Sequence, residues 1–251
     1  MEQESDSFIK WGQQGKTLVF LHYFGGAASS WQWTIEHLCN DYQCIALNLP
    51  GFGDTPPLQQ PTIDHFAQWI AKTLLEHDVD SCTLIGHSMS GKLSLEVAAQ
   101  HPELNTEQVI LVAPSPPTTE PMPEEEKERM LQHPNLQEAE KTVKQASIKS
   151  LSEEKKKLAT YTQLIIDHPT WIWWLQDGMN HSIEGHLPKV KVPVSVIASK
   201  DDPAIPYKSI LSDVIGLLPQ AKLISTDQIG HLIPLEDPEW LAQQIRAIVS
   251  K

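Results

Sequence analysis

Four continuous apolar runs recur through the first half of the chain: Thr17-Leu-Val-Phe-Leu-His22, Gln43-Cys-Ile-Ala-Leu-Asn48, Cys82-Thr-Leu-Ile-Gly86 and Gln108-Val-Ile-Leu-Val-Ala113. Two more come late, Pro193-Val-Ser-Val-Ile-Ala198 and Ala221-Lys-Leu-Ile-Ser-Thr226. None shows the strict apolar/polar alternation of a strand wetted on one face, so each reads as a strand buried on both faces, as parallel strands are. Helical patterns lie among them, from Ser29 to Asn40, Thr62 to His77, Met89 to His101, Tyr207 to Leu218 and Pro238 to Ser250. This order predicts an α/β fold, a mainly parallel sheet covered by helices on both faces. Phe8 to Trp11 is expected as an antiparallel edge strand.

The alternation breaks between about Ser115 and Pro188. There the proline-rich run Pro114-Ser-Pro-Pro-Thr-Thr-Glu-Pro-Met-Pro123 leads into charged helical sequence. The expected organisation is one core, residues 1–114 and 189–251, interrupted by an inserted helical cap at 115–188. Glu124-Glu-Glu-Lys-Glu-Arg129 and Glu153-Glu-Lys-Lys-Lys157 mix both signs at helical spacing, as solvated helix faces do. The apolar positions Leu158, Tyr161, Leu164, Ile165, Trp171, Trp173 and Trp174 then face either the cap's interior or a cavity beneath it.

Charge and composition remove several function classes. A formal net charge of −13 opposes DNA, RNA and anionic lipid, each of which would meet a like-charged field. Met1-Glu2-Gln3-Glu4-Ser5-Asp6 is acidic where a signal peptide is basic, and no apolar run reaches the roughly 20 residues that span a bilayer. The expectation is a soluble cytoplasmic protein with neither a nucleic-acid nor a membrane partner. Cys39, Cys44 and Cys82 have no metal-ligand spacing and read as small buried hydrophobes. Eleven histidines include no HExxH pattern, and only His181 and His186 stand close together, so neither metal nor cofactor is expected.

Thr83-Leu-Ile-Gly-His-Ser-Met-Ser-Gly91 sets Ser88 at the end of an apolar run, among tight-turn residues and directly before a helical segment. A serine hydroxyl is a poor nucleophile until a base takes its proton, so such a turn requires a histidine. Ile229-Gly230-His231 supplies one. That histidine needs a carboxylate to fix its tautomer, and the turn after Pro193–Ala198 offers two neighbours, Asp201 and Asp202.

With these pieces the chain resembles the α/β-hydrolase superfamily, in particular its small cap-bearing serine hydrolases, which include esterases and cofactor-free haloperoxidase-like perhydrolases. Leu21-His-Tyr-Phe-Gly-Gly26, Leu49-Pro-Gly-Phe-Gly53, Gly86-His-Ser-Met-Ser-Gly91, Asp201-Asp-Pro-Ala-Ile-Pro206 and Gly230-His231 carry the resemblance over nearly the whole length. It implies a triad in the order Ser88, Asp202, His231, with Asp202 and Pro206 at the family's D-x-x-x-P spacing. It also implies an oxyanion hole from the backbone amides of Phe24 and Met89. Tyr23 stands where the family has glycine, and Ser90 replaces a commoner glycine. His22 is expected to bond the loop backbone, and His87 to be packed.

A serine at this turn argues against the aspartate-dependent dehalogenases and epoxide hydrolases of the same fold. The expected reaction is cleavage of a small to medium, largely apolar carboxylic ester through an acyl-enzyme, with Tyr23, Trp171, Trp174 and Met179 as substrate-binding candidates. Perhydrolysis, lactone or carbon–carbon bond hydrolysis, and ligand sensing on a hydrolase scaffold are the alternatives. The residues leave the oligomeric state open.

Overall fold

The computed structural model describes residues 8–250. The acidic stretch Met1 to Asp6, on which the absence of a signal peptide was argued, lies outside them. Seven strands form one sheet: β1 Phe8–Trp11, β2 Thr17–Leu21, β3 Gln43–Leu47, β4 Ser81–His87, β5 Asn105–Val112, β6 Val194–Ser199 and β7 Lys222–Thr226, in the order β1-β3-β2-β4-β5-β6-β7. All neighbours run parallel except β1, which pairs antiparallel with β3 in the register Phe8 to Leu47 and Trp11 to Cys44.

Alternate residues of the same strand feed two separate cores, because successive side chains leave a strand on opposite faces. Val19, Leu21, Ile45 and Leu47 point to one side and Leu18, Phe20, Cys44 and Ala46 to the other, all fully buried. On the first side lie α2 (Ile63–Glu76) and α3 (Met89–Gln100), which bury Phe66, Ile70, Leu74, Leu93 and Val97. On the second lie α1 (Gln32–Glu36) and, near the C-terminus, Pro238–Val249, which bury Ile35, Leu241, Ile245 and Val249. Truncating Phe66 to alanine in such a core costs about 3–5 kcal/mol. Thr62 starts α2 by accepting the His65 N–H on its hydroxyl at 3.0 Å.

Between β5 and β6 the chain leaves the sheet as a helical segment: α4 Glu124–Met130, α5 Leu136–Ala146, α6 Glu153–Leu164 and α7 His168–Trp173. After β6 come α8 (Tyr207–Ser209), α9 (Ile233–Glu236) and α10 (Pro238–Val249). Asn135, Ser152 and Asp167 cap α5, α6 and α7 through their side chains, which satisfies amides that a helix start leaves open.

Two expected helices differ in form. Ser29 to Asn40 is a 3-10 turn, Ala28–Trp31, followed by the short α1, and Tyr207 to Leu218 is α8 followed by a wider turn closed by Gly216 N–H to Leu211 C=O at 3.0 Å. Among the described residues no helix is long and apolar enough to cross a membrane. Cys44 and Cys82 are buried, Cys39 is partly buried, and all three are free thiols.

Candidate active site

Ser88 stands between the last residue of β4 and the first of α3, with φ +54° and ψ −117°. A serine avoids positive φ, so this backbone is strained, and its surroundings hold it there. Its N–H donates to Val112 C=O (2.9 Å), while its own carbonyl accepts from Gly91 N–H (2.8 Å) and Ser115 N–H (3.0 Å). Only small residues fit the turn: a Cβ on Gly86 would lie 2.2 Å from the Ser90 carbonyl oxygen, and one on Gly91 would lie 2.6 Å from Pro114 Cβ.

The structure brings Ser88, His231 and Asp202 together. Ser88 Oγ lies 2.9 Å from His231 Nε2, and His231 Nδ1 lies 2.8 Å from Asp202 Oδ2. A carboxylate only accepts, so Nδ1 carries the proton and Nε2 faces the serine hydroxyl as an acceptor. Asp202 Oδ1 is held by the N–H groups of Ala204 (2.8 Å) and Ile205 (2.9 Å). Its neighbour points elsewhere: Asp201 Oδ2 accepts from Gln228 N–H at 2.7 Å. Burial alone would lower the pKa of His231. Asp202, with smaller contributions from Glu120 and Glu236, outweighs that and holds it above the ordinary 6.5.

The loop carrying His231 is fastened to the helical segment. His231 N–H donates to Ala146 C=O (2.7 Å), and Glu236 Oε2 accepts from Gly230 N–H (2.8 Å), Ile148 N–H (2.9 Å) and Lys149 N–H (2.8 Å). A Cβ at Gly230 would lie 2.5 Å from the Ala146 oxygen, so this approach needs glycine.

His22 bonds the loop backbone, donating from Nδ1 to Tyr23 C=O (2.9 Å) and accepting at Nε2 from Leu49 N–H (3.2 Å). Burial pushes its pKa down to about 4, so it is neutral. The Ser90 hydroxyl donates to His22 C=O, a bond that glycine in its place would lack. Phe24 follows on this loop and lines the same cavity as Ser88. Met89 begins α3, where amides have no i−4 carbonyl within the helix.

That cavity has a volume of about 480 Å³ and is walled chiefly by apolar groups, among them Phe24, Met122, Met130, Val143, Trp174 and Leu232. Of the four substrate-binding candidates, Tyr23 and Trp174 line it. The Tyr23 hydroxyl is buried away from solvent beside Ser30 and Thr162, so the ring rather than the phenol oxygen meets the cavity. Trp171 and Met179 lie behind the wall. Trp171 stacks on Phe24 (centroids 4.2 Å) and donates to Met130 C=O (2.7 Å), while Met179 is buried in the core. Glu120, which the pattern of the sequence did not single out, also lines the cavity. A lone acid in a run of proline and threonine just past β5 is its only sequence signal.

A larger groove of about 920 Å³ runs between α5 and α6, but neither Ser88 nor His231 borders it. Among the described residues no group of three or more His, Cys, Asp or Glu side chains is arranged to hold a metal ion.

A sequence profile of the alpha/beta hydrolase fold matches residues 16–147. The uncharacterized hydrolase YugF of Bacillus subtilis (strain 168) is 30% identical over 245 residues, which take in 92% of this chain and 88% of that protein. A shorter match, 31% identical over 108 residues, is to the dihydrolipoyllysine-residue acetyltransferase component of the acetoin cleaving system of Cupriavidus necator. It takes in 43% of this chain and 29% of that component's length. Among solved structures, the esterase EaEST from Exiguobacterium antarcticum superposes with a TM-score of 0.86 over 97% of this chain and 95% of that one, at 17% identity, a likeness of fold.

Proposed function

The chain belongs to the α/β-hydrolase family, and on that premise we propose that it is a serine hydrolase cleaving small to medium, largely apolar carboxylic esters. The observation that carries this reading is the unbroken hydrogen-bonded line from Ser88 Oγ through His231 to Asp202, at 2.9 and 2.8 Å, opening on a mostly apolar cavity.

In this reading Ser88 Oγ attacks the ester carbonyl carbon as His231 Nε2 takes its proton. The imidazolium so formed is stabilised by Asp202. The former carbonyl oxygen becomes an oxyanion received by the Phe24 and Met89 amides, and one such donor is worth about 3 kcal/mol of barrier. Collapse expels the alcohol, to which His231 returns the proton, and leaves an acyl group on Ser88. Water, deprotonated by the same histidine, then attacks that acyl carbon; the acyl–Oγ bond breaks, His231 returns the proton to Ser88 Oγ, and the carboxylic acid leaves. The helical segment at 115–188 serves as a cap, contributing Met122, Met130, Val143 and Trp174 to the cavity wall. Those side chains favour an apolar acyl or alcohol group.

The test is hydrolysis of p-nitrophenyl esters from acetate to decanoate, with mass spectrometry of the protein during turnover. Rapid turnover with a transient acyl adduct on Ser88 is the expected result. Absence of turnover across the series, or turnover without Ser88, would remove the reading.

A further inference from the structure

The reaction above leaves one polar group of the cavity without a task. Glu120 follows β5 on the proline-rich stretch, and its N–H is pinned to Met179 C=O at 2.8 Å. Its side chain lines the cavity that holds Ser88 and His231, and Oε2 is buried with no hydrogen-bond partner among the described residues. Burial pushes the pKa of this carboxyl up, and the neighbouring Ser115 hydroxyl, Lys92 and His231 offset that only in part, so a bound cation would favour its charged form; the Ser115 hydroxyl itself completes no hydrogen bond among the described residues. Buried polar atoms left open in this way cost free energy unless something fills them.

The nearby cation makes its hydrogen bonds elsewhere. Lys92 is wholly buried, and its three protons are taken up by the carbonyls of Thr118 (2.9 Å), His181 (2.9 Å) and Met179 (3.1 Å). The second carboxylate on the wall, Glu126, is already clamped on both oxygens by the Arg129 guanidinium. No lysine or arginine is among the residues lining the cavity. A substrate carboxylate or phosphate would therefore meet a carboxyl with no lining cation to offset it, in a protein of net charge −13. A substrate ammonium would meet the Glu120 carboxyl, to which no cation is hydrogen-bonded among the described residues, and the ring of Phe24, a surface that attracts cations.

We propose that Glu120 is a specificity-determining residue of this cavity, seating a protonated amino group carried by the acyl or alcohol part of the substrate. The inference rests on the ester-hydrolase reading for taking this cavity as the substrate site, and it names the substrate class: amino-bearing rather than acidic esters.

Binding tests it apart from turnover. In a Ser88→Ala background, n-hexylammonium, n-hexanol and hexanoate are titrated calorimetrically at neutral pH. Hexylammonium is expected to bind about tenfold more tightly than hexanol, the scale of one charge-assisted hydrogen bond, with hexanoate weakest. Glu120→Gln, close in shape, is expected to bring hexylammonium and hexanol within about twofold. Hexanoate binding as tightly as hexylammonium, no measurable hexylammonium binding, or a preference that survives Glu120→Gln each overturn the proposal. Should Glu120→Gln not fold, Glu120→Asp, which draws the carboxyl back by one methylene, must weaken the preference. Ester turnover by the unmutated protein separates the two readings. Glu120-dependent ammonium binding without turnover removes the hydrolase and keeps this site, and turnover indifferent to ammonium does the reverse.

Discussion

The ring of His87 donates from Nε2 to the backbone carbonyl of His231 at 2.9 Å, so the residue before Ser88 holds the main chain of His231. Burial, with the charge of His231 next, keeps the pKa of His87 well below the usual 6.5. It therefore stays neutral while His231 gains and loses a proton. A protonated neighbour with its ring centroid 5.2 Å from that of His231 would oppose imidazolium formation, so this neutrality favours proton transfer.

Ser88→Ala removes the hydroxyl that the proposed mechanism acylates. Turnover of a p-nitrophenyl ester is expected to fall at least about a thousandfold, with no adduct by mass spectrometry. The urea midpoint should be unchanged or higher, because alanine meets the same positive φ without a hydroxyl to desolvate. An active Ser88→Ala protein removes the nucleophile.

Asp202→Asn is expected to lower kcat by about 10⁴, since an amide nitrogen facing Nδ1 favours the wrong imidazole tautomer. Asp201→Asn loses only an acceptor for the Gln228 N–H and should cost less than about tenfold. Steady-state kinetics of the two variants decides between them, and a larger loss at Asp201 would reassign the acid.

The pH profile follows from the raised pKa of His231. In the proposed mechanism His231 works only when neutral, so kcat/KM is expected to fall as pH drops through a value above 6.5. Asp202→Asn removes the main group raising it and should move that limb to lower pH. A limb that does not move in the variant assigns it to some other group.

Acid stability reports on the buried neutral histidines. The pKa of His22 is depressed to about 4 by burial, so its contribution to stability is intact above the unfolded value of 6.5 and is lost as pH falls from there toward 4. His87 shifts in the same direction. Urea denaturation at pH 7 and pH 4.5 should therefore show a clear loss at the lower pH. His22→Gln should lessen the difference between the two pH values, though it lowers stability at both, and an undiminished difference would clear His22 of the effect.

The inner strands were legible because burial on both faces leaves continuous apolar runs such as Val109 to Val112; β7 (Lys222–Thr226), expected to be buried likewise, is the sheet's edge, and its residues are exposed or only partly buried. Even the edge strand Phe8–Trp11 lies where its pattern put it. The turn of Ser88 was legible because its geometry admits only small residues at Gly86 and Gly91, a steric demand visible as composition. Less local features were not. The wider turn closed by Met179 N–H to Trp174 C=O (2.9 Å) uses bonding one residue longer than an α-helix, for which no side-chain spacing exists. Trp171 and Trp174 are three residues apart in one aromatic run, yet only Trp174 reaches the cavity, a difference set by packing on Phe24 and Met130. Glu120 lies in a proline-rich stretch without periodicity, so only the folded path of that stretch brings it to the cavity.

Glu236 clasps amides from two parts of the chain that are otherwise remote in sequence, Gly230 beside the base and Ile148–Lys149 between α5 and α6. One carboxylate thus works as a latch shared by the helical segment and the loop of His231. Separating Ile148–Lys149 from Gly230 would require breaking these bonds next to His231.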